Sequence, residues 1–214
     1  GFLSERAAFA AALSENGIAL AGPSAAVMEL MGRKDAAREI AAAAGVPVVP
    51  SYALSDDPAT LAYPVLAKAA AGGGGKGMRV VRSADEYAAA IAAAGREAAH
   101  AFGDDTLLIE KFVESGRHLE VQVLGDHKGT VLHLWERDCS LQRSHQKLIE
   151  VAPSPWLPAA LRDPLLHAAC TMAASAKLRG LTTFEFLFDA RDRFFFIEAN
   201  PRLQVEHTIT EAVT

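Results

Sequence analysis

The chain has 214 residues, half of them hydrophobic, and a net charge of −5 from 21 Lys and Arg against 26 Asp and Glu. That is enough apolar chain to bury a core, at the upper end of one domain or the lower end of two. The acidic balance argues against nucleic acid as a partner, which needs a basic face, and no apolar run reaches the roughly 18 residues of a membrane span.

The opening GFLSERAAF has no basic stretch followed by an apolar one, so no signal peptide is expected and the chain reads as starting inside a domain. Cys139 and Cys170 lack the spacing of a zinc site or a disulfide framework, which favours a reducing compartment, the cytoplasm or a mitochondrial matrix. In chain order, Ser4 and the Ala-rich stretch up to Gly17 predict a capped helix, and residues 18–20 a short strand. Ser24 predicts the cap of a second helix carrying Val27, Leu30 and Met31, and a third runs over residues 34–44 before Gly45.

The proline-punctuated residues 46–50 mark a boundary. Beyond it the pattern predicts a strand at 63–69, a glycine loop at 72–77, a strand at 78–82, a helix at 83–102 and a strand at 106–113. Ser83 and Glu86 have capping-box spacing. From His118 the hydrophobic period is two: HLEVQVLGD, a turn at 127–129, then TVLHLWERD, which predicts a hairpin. QKLIEVA is a further strand, residues 158–177 a helix, and TTFEFLFD with FFFIEAN a last hairpin. The fold class is α+β, with antiparallel strands gathered in the second half.

If the last turn is centred between Arg191 and Asp192, residues whose numbers add to 383 oppose each other. Phe184, Phe186 and Phe188 then face Ala199, Ile197 and Phe195 in one apolar layer, and Glu185 faces Glu198. Directly opposed side chains have Cβ atoms about 4.5 to 5.5 Å apart, and two carboxylates at that distance repel by roughly 3 kcal/mol at an effective dielectric near 20. A magnesium ion between them, bridging to phosphate oxygens, is the economical explanation; two solvated glutamates splayed apart is the plainer one. Past the strand, IEANPRLQVEH alternates, and an extended backbone would present Glu198, Asn200, Arg202, Gln204 and Glu206 on one face. Arg202 suits a carboxylate or bicarbonate, and Glu206 is placed as a general base. An amphipathic edge strand would alternate in the same way.

Lys68 leads into AAAGGGGKG, where Lys76 lies within the glycine run. No Ser or Thr follows Lys76, so this is no Walker A loop; a strand follows, so it is no dinucleotide fingerprint. Strand, loop and strand predict a lid over phosphates, with a linker as the alternative. Lys34 and Lys147 are further candidate phosphate contacts, and His118, Gln142 and His145 fit either a site or a scaffold.

GPSAAVMELMGRK, KAAAGGGGKGMRVV, ERDCSLQRSHQK, TTFEFLFD and EANPRLQVEH, in this order, resemble the biotin carboxylase family of the ATP-grasp superfamily. The resemblance implies a remnant of a Rossmann-like domain at 1–33, a connecting helix and hinge at 34–50, the ATP-grasp lid at 51–113 and the catalytic subdomain, truncated at its C-terminus, at 114–214. It implies ATP contacts at Lys34 and Lys68, with Gly73, Gly74 and Gly75 over the phosphates. Glu110, Lys111 and Val113 would form the adenine hinge, with His118 and Gln142 near the ribose. Glu185 and Glu198, with Asn200, would hold Mg2+ or Mn2+. Lys147, Arg202, Gln204 and Val205 would bind bicarbonate, which Glu206 would deprotonate for attack on the γ-phosphate, giving carboxyphosphate and then carboxylated biotin. Implied partners are biotin or a biotinyl carrier domain and a carboxyltransferase component, in a parent that can be a homo-oligomer.

The sequence also departs from that pattern. The family's full Rossmann-like domain and its C-terminal region, with an arginine that stabilises biotin enolate, have no counterpart here. SYALSDDPATLAYPV is shorter than the usual connection into the lid, Ser144 stands where a second arginine is usual, and Thr208 where proline is usual. Competing readings are a carbamoyl-phosphate-type or amino-acid-ligating ATP-grasp enzyme, which would not need Arg202, Gln204 and Glu206 in one row, and a nucleotide-binding fragment without catalysis. The final acyl acceptor is not written in these residues.

Overall fold

The computed structural model describes residues 3–71, 77–143 and 146–214. In chain order it contains α1 (Ala7–Glu15), α2 (Ala25–Gly32), α3 (Lys34–Ala43), β1 (Ser51–Tyr52), β2 (Val65–Ala69), β3 (Arg79–Val81), α4 (Ala84–Phe102), β4 (Leu107–Lys111), β5 (Arg117–Gly125), β6 (Val131–Arg143), β7 (Gln146–Val151), α5 (Ala159–Ser175), β8 (Gly180–Phe188), β9 (Phe194–Asn200) and α6 (His207–Val213). Two units separate: Gly1–Val48 with Ser115–Gln142 and Lys147–Thr214, and Val49–Glu114 with Arg143–Gln146. The first unit thus takes in residues 1–48 together with most of the C-terminal half.

In the first unit α2 starts where Ser24 Oγ accepts a hydrogen bond from the Val27 N–H, as expected. α1 departs from expectation, because Arg6 rather than Ser4 precedes its first turn and gives no side-chain cap bond. The strand expected at 18–20 is absent: Ile18 N–H returns to Leu13 O at 2.9 Å, closing the helix end around Gly17 at φ +70°. That bond commits the segment to the helix terminus, where it has no ladder to join.

The sheet of this unit runs β7-β6-β5-β8-β9. Strand alternation sends Leu119, Val121 and Val123 of β5, with Phe184, Phe186 and Phe188 of β8, into one core with Met31, Ala37, Leu165, Ala169 and Met172 of the helices. Their alternates His118, Glu120, Gln122, Thr183 and Glu185 therefore occupy the opposite face. β8 starts at Gly180, whose φ is +80° and where a Cβ would lie 2.8 Å from the backbone of Gly22.

The last hairpin corrects the expected register. Its turn has three residues between Asp189 and Arg193, with Asp192 at φ +58°, so Phe188 opposes Phe194 and Phe186 opposes Phe196. A β-bulge then shifts the ladder by one residue, restoring Phe184 opposite Ala199 and Glu185 opposite Glu198. Packing explains the choice. It is Phe196, fully buried, that joins the core against Phe184 and Phe186, with ring centroids 6.4 and 5.9 Å apart, while Ile197 and Phe195 stay partly exposed.

The second unit is the sheet β1-β4-β2-β3 with α4 on one face. Val65, Ala67, Val81 and Ile109 pack with Tyr87, Ala94 and Ala98. The expected capping box gives way to a different bond: Glu86 Oε2 accepts from the N–H of Arg82, one residue before the cap, at 2.9 Å, and Ser83 makes no side-chain cap bond. Gly103, at φ +72°, ends the helix.

Candidate functional site

Registers across the larger sheet align four side chains in one row. Arg137 on β6 opposes Glu120 on β5, Glu120 opposes Glu185 on β8, and Glu185 opposes Glu198 on β9. The sequence pattern identified the last pair; Glu120 and Arg137 were missed. The alternation HLEVQV carried the signal, since it places Glu120 on the polar face, but pairing β5 with β8 requires the tertiary register.

Three neighbouring carboxylates repel one another by roughly 3 kcal/mol per adjacent pair at an effective dielectric near 20, so each needs a cation. Arg137 Nε donates to Glu120 Oε1 at 2.6 Å. Lys147 Nζ bridges Glu120 Oε2 and Glu185 Oε1, the latter at 3.0 Å. His118 Nε2 lies 2.7 Å from Glu185 Oε2, and Lys34 Nζ lies 2.8 Å from Glu198 Oε2. Asn200 Nδ2 donates to Glu185 Oε1 at 2.8 Å. Of the sequence-predicted site residues, Lys34, His118, Gln142, Lys147, Glu185, Glu198 and Asn200 therefore lie in one connected cluster.

The electrostatics follow from that geometry. Burial opposes the charge on Glu185, but His118 and Lys147 outweigh it and hold the carboxyl well below its usual range. Burial likewise pushes Lys147 down, and Glu185 and Glu120 raise it by more, so it stays an ammonium ion. His118 is raised on balance, with Glu185 overcoming burial. Gln142 Nε2 lies 2.6 Å from His118 Nδ1 and donates to Cys139 O at 2.9 Å, which directs the proton of a neutral ring to Nε2, facing Glu185. Glu150, on the neighbouring β7, is pushed up to about 7 by burial and then by Glu120.

Beyond Asn200 the expected extended row does not continue. β9 ends there, Arg202 N–H turns back to Asn200 O at 2.8 Å, and α6 begins at His207. The inward and outward pattern nevertheless survives in part: Gln204 is buried while Leu203 and Val205 are 52% and 81% exposed. Gln204 Oε1 is buried without a hydrogen-bond partner. Arg202 Nε lies 3.1 Å from Glu5 Oε1, an ion pair that sequence reasoning did not anticipate. Glu206 precedes the first turn of α6 and is half-buried.

In the second unit Lys68 Nζ and Glu110 Oε2 form a buried ion pair at 2.7 Å. Lys111 Nζ donates to the carbonyls of Ala62, Tyr63 and Pro64 at 3.1, 2.9 and 3.2 Å, so its ammonium ties down the chain before β2. Val113 follows β4 and is half-buried. Gly73, Gly74, Gly75, Lys76, Ser144 and His145 lie outside the described residues.

Glu185, Glu198 and Asn200 offer the oxygen donors a hard divalent cation takes, two carboxylates and an amide on directly paired strands, but His118, Lys147 and Asn200 Nδ2 hold the Glu185 oxygens and Lys34 holds Glu198 Oε2, so an ion binds there only by displacing them. Glu120, Cys139 and Glu150 also bring ligand atoms within 4.8 Å of one another. That group suits a metal poorly, because Arg137 and Lys147 hold both Glu120 oxygens and burial pushes the Cys139 thiol up, keeping it neutral.

Residues 33–214 match the family model described as "Carbamoyl-phosphate synthase L chain, ATP binding domain". The whole chain is 48% identical to 31% of mouse mitochondrial methylcrotonoyl-CoA carboxylase subunit alpha. It superposes on half of the biotin carboxylase from Campylobacter jejuni, solved as a β,γ-ATP complex, with TM-score 0.96, 45% identity and the whole chain covered. It also superposes on 49% of the biotin carboxylase domain of 2-oxoglutarate carboxylase from Hydrogenobacter thermophilus, solved with MgADP, ADP and bicarbonate, with TM-score 0.93, 43% identity and the whole chain covered. The chain thus spans 31–50% of these relatives' length, and the expected α+β architecture is the one they share.

Proposed function

The chain belongs to the carbamoyl-phosphate synthase L chain, ATP-binding domain family, and on that footing we propose that it is the ATP-grasp part of a biotin carboxylase, an ATP-dependent ligase that joins bicarbonate to biotin. The observation that carries this reading is the carboxylate row Glu120, Glu185 and Glu198 threaded by Lys147, His118 and Lys34. Three adjacent acids and three cations on one sheet face are costly to assemble for stability alone, whereas phosphoryl transfer needs a divalent ion and fixed positive charge.

In this reading Glu185, Glu198 and Asn200 hold Mg2+ or Mn2+, which neutralises phosphate charge. Lys34, Lys68 and the glycines 73–75 contact the phosphates, Glu110, Lys111 and Val113 the adenine, and His118 and Gln142 the ribose. Lys147, Arg202, Gln204 and Val205 bind bicarbonate, leaving its one O–H to Glu206. Glu206 takes the proton, bicarbonate attacks the γ-phosphorus and ADP leaves, giving carboxyphosphate; its carboxyl group then passes to the biotin nitrogen as the C–O bond to phosphate breaks and the phosphate released takes the biotin N–H proton.

A biotinyl carrier domain and a carboxyltransferase are the partners this chemistry requires. The acceptor is set elsewhere, since relatives named for methylcrotonoyl-CoA and 2-oxoglutarate match this same stretch. A reducing compartment, cytoplasm or matrix, suits its free cysteines.

The test is ATP cleavage by the intact parent protein with and without bicarbonate and free biotin. Stimulation that requires both is expected. Cleavage that needs bicarbonate and an ammonia source but ignores biotin would move the chain to carbamoyl-phosphate chemistry, and Mg-ATP binding without cleavage would leave a nucleotide-binding module.

A further inference from the structure

Arg137 is completely buried and heads the largest buried side chains among the described residues. A guanidinium in that setting is costly unless every N–H finds a partner. Its Nε donates to Glu120 Oε1 at 2.6 Å, and Nη1 donates to Gln122 Oε1 at 3.0 Å and Thr210 Oγ1 at 2.8 Å. Nη2 donates to Thr183 Oγ1 at 3.3 Å, and Glu150 Oε2 lies 3.4 Å from Nε. One fork thus engages β5, β8, β7 and α6.

Two of these arms lead toward the proposed chemistry. Glu120 is pinned through Oε1, so its Oε2 is presented to Lys147, which then reaches Glu185 at 3.0 Å. Thr210 sits on α6, immediately after the segment that carries Arg202, Gln204 and Glu206, and is itself buried. Without the fork, Glu120 would lose its fixed orientation, and Lys147 would follow Glu120.

We infer that Arg137 is a positioning residue of this site: through Glu120 it aims Lys147, and through Thr210 it anchors the turn bearing Arg202, Gln204 and Glu206. The inference rests on the bicarbonate-activating reading for its kinetic consequence, but its structural half does not. A lysine at 137 would keep the charge and supply one point donor group in place of a planar fork.

Two measurements on the intact parent protein test it. In the first, brief acetic anhydride labelling is read by peptide mass spectrometry, with Lys34 as internal reference. Lys147 is expected to label at least about fivefold faster in Arg137→Lys than in wild type, because a point donor cannot hold Glu120 on the Lys147 side. In the second, KM for bicarbonate is expected to rise about tenfold, the factor that corresponds to about 1.4 kcal/mol, while KM for Mg-ATP stays within about twofold. Thr210→Val, nearly isosteric, is the second variant should Arg137→Lys fail to fold; it is expected to raise KM for bicarbonate about threefold with Mg-ATP unaffected.

Unchanged Lys147 labelling in a folded Arg137→Lys protein overturns the inference whatever the activity. So does an equal rise in both KM values, which marks general loosening, or an unchanged bicarbonate KM in Thr210→Val. A wild-type protein without bicarbonate-dependent ATP cleavage overturns the proposed function instead, and the labelling result then decides this inference alone.

Discussion

Glu185 and Glu198 are directly opposed on β8 and β9, yet their carboxylates answer to different cations: Lys147 and His118 on Glu185, Lys34 on Glu198. The two also differ in setting. The Glu185 side chain is 5% exposed and that of Glu198 26%. The pair therefore joins an interior anchor to a more accessible partner, an arrangement suited to admitting a divalent ion from one side.

That asymmetry sets a stability prediction. Glu185→Gln leaves His118 without its paired carboxylate and Lys147 with Glu120 alone, and is expected to cost about 3 kcal/mol, the range for breaking a buried pair from one side. Glu198→Gln, in better contact with solvent, is expected to cost about 1 kcal/mol or less. Native-state hydrogen exchange of peptides covering residues 180–200 gives the comparison. Equal costs would contradict the interior role of Glu185.

The opposition of these two glutamates was legible in the sequence because polar and apolar residues alternate along both strands of the hairpin. The expected turn, centred between Arg191 and Asp192, gives a pairing sum of 383, whereas the three-residue turn gives 382 near Phe188 and Phe194, and the bulge returns the ladder to 383 before Glu185. Polar and apolar alternation fixes which residues share a face, but turn length and bulge depend on how Phe196 packs under the helices, which no local pattern records. Glu120 and Arg137 were hidden for the same reason, because their relation to Glu185 is a cross-strand register between segments far apart in sequence. Beyond Asn200, alternation still marked Gln204 as inward, although the chain had turned away from extended structure.

Lys68 and Glu110 lie on one face of the smaller sheet, since Glu110 opposes Leu66 and Lys68 opposes Leu108. At 2.7 Å and nearly without solvent, the pair is held by mutual neutralisation. Lys68→Met is expected to destabilise this unit by about 3 kcal/mol by removing the buried cation paired with Glu110, and the double variant Lys68→Met with Glu110→Met to recover most of that loss. Limited proteolysis between β2 and α4, followed by mass, reads the outcome. A double variant as fragile as the single one would mean that Glu110 supports the unit through its other contacts.

Asp189 staples the turn that sets the β8 and β9 register. Its Oδ1 accepts from Arg191 N–H at 2.9 Å and Arg193 N–H at 3.0 Å, and its Oδ2 from Arg193 Nε at 2.9 Å. Burial pushes its carboxyl up, but the Arg193 side chain and the two backbone donors outweigh burial and lower it below the usual aspartate value. A carboxyl lowered on folding contributes stability above its unfolded pKa, about 3.9, and that contribution disappears as pH falls through the folded value. Asp189→Asn is therefore expected to lower stability by about 1 kcal/mol at pH 7, with the gap from wild type closing in acid, below the unfolded pKa. Calorimetric melting of both proteins at several pH values measures it. A gap that stays constant into acid would show that the Asp189 charge contributes nothing, and that the turn is held by its three-residue geometry and the αL conformation at Asp192 alone.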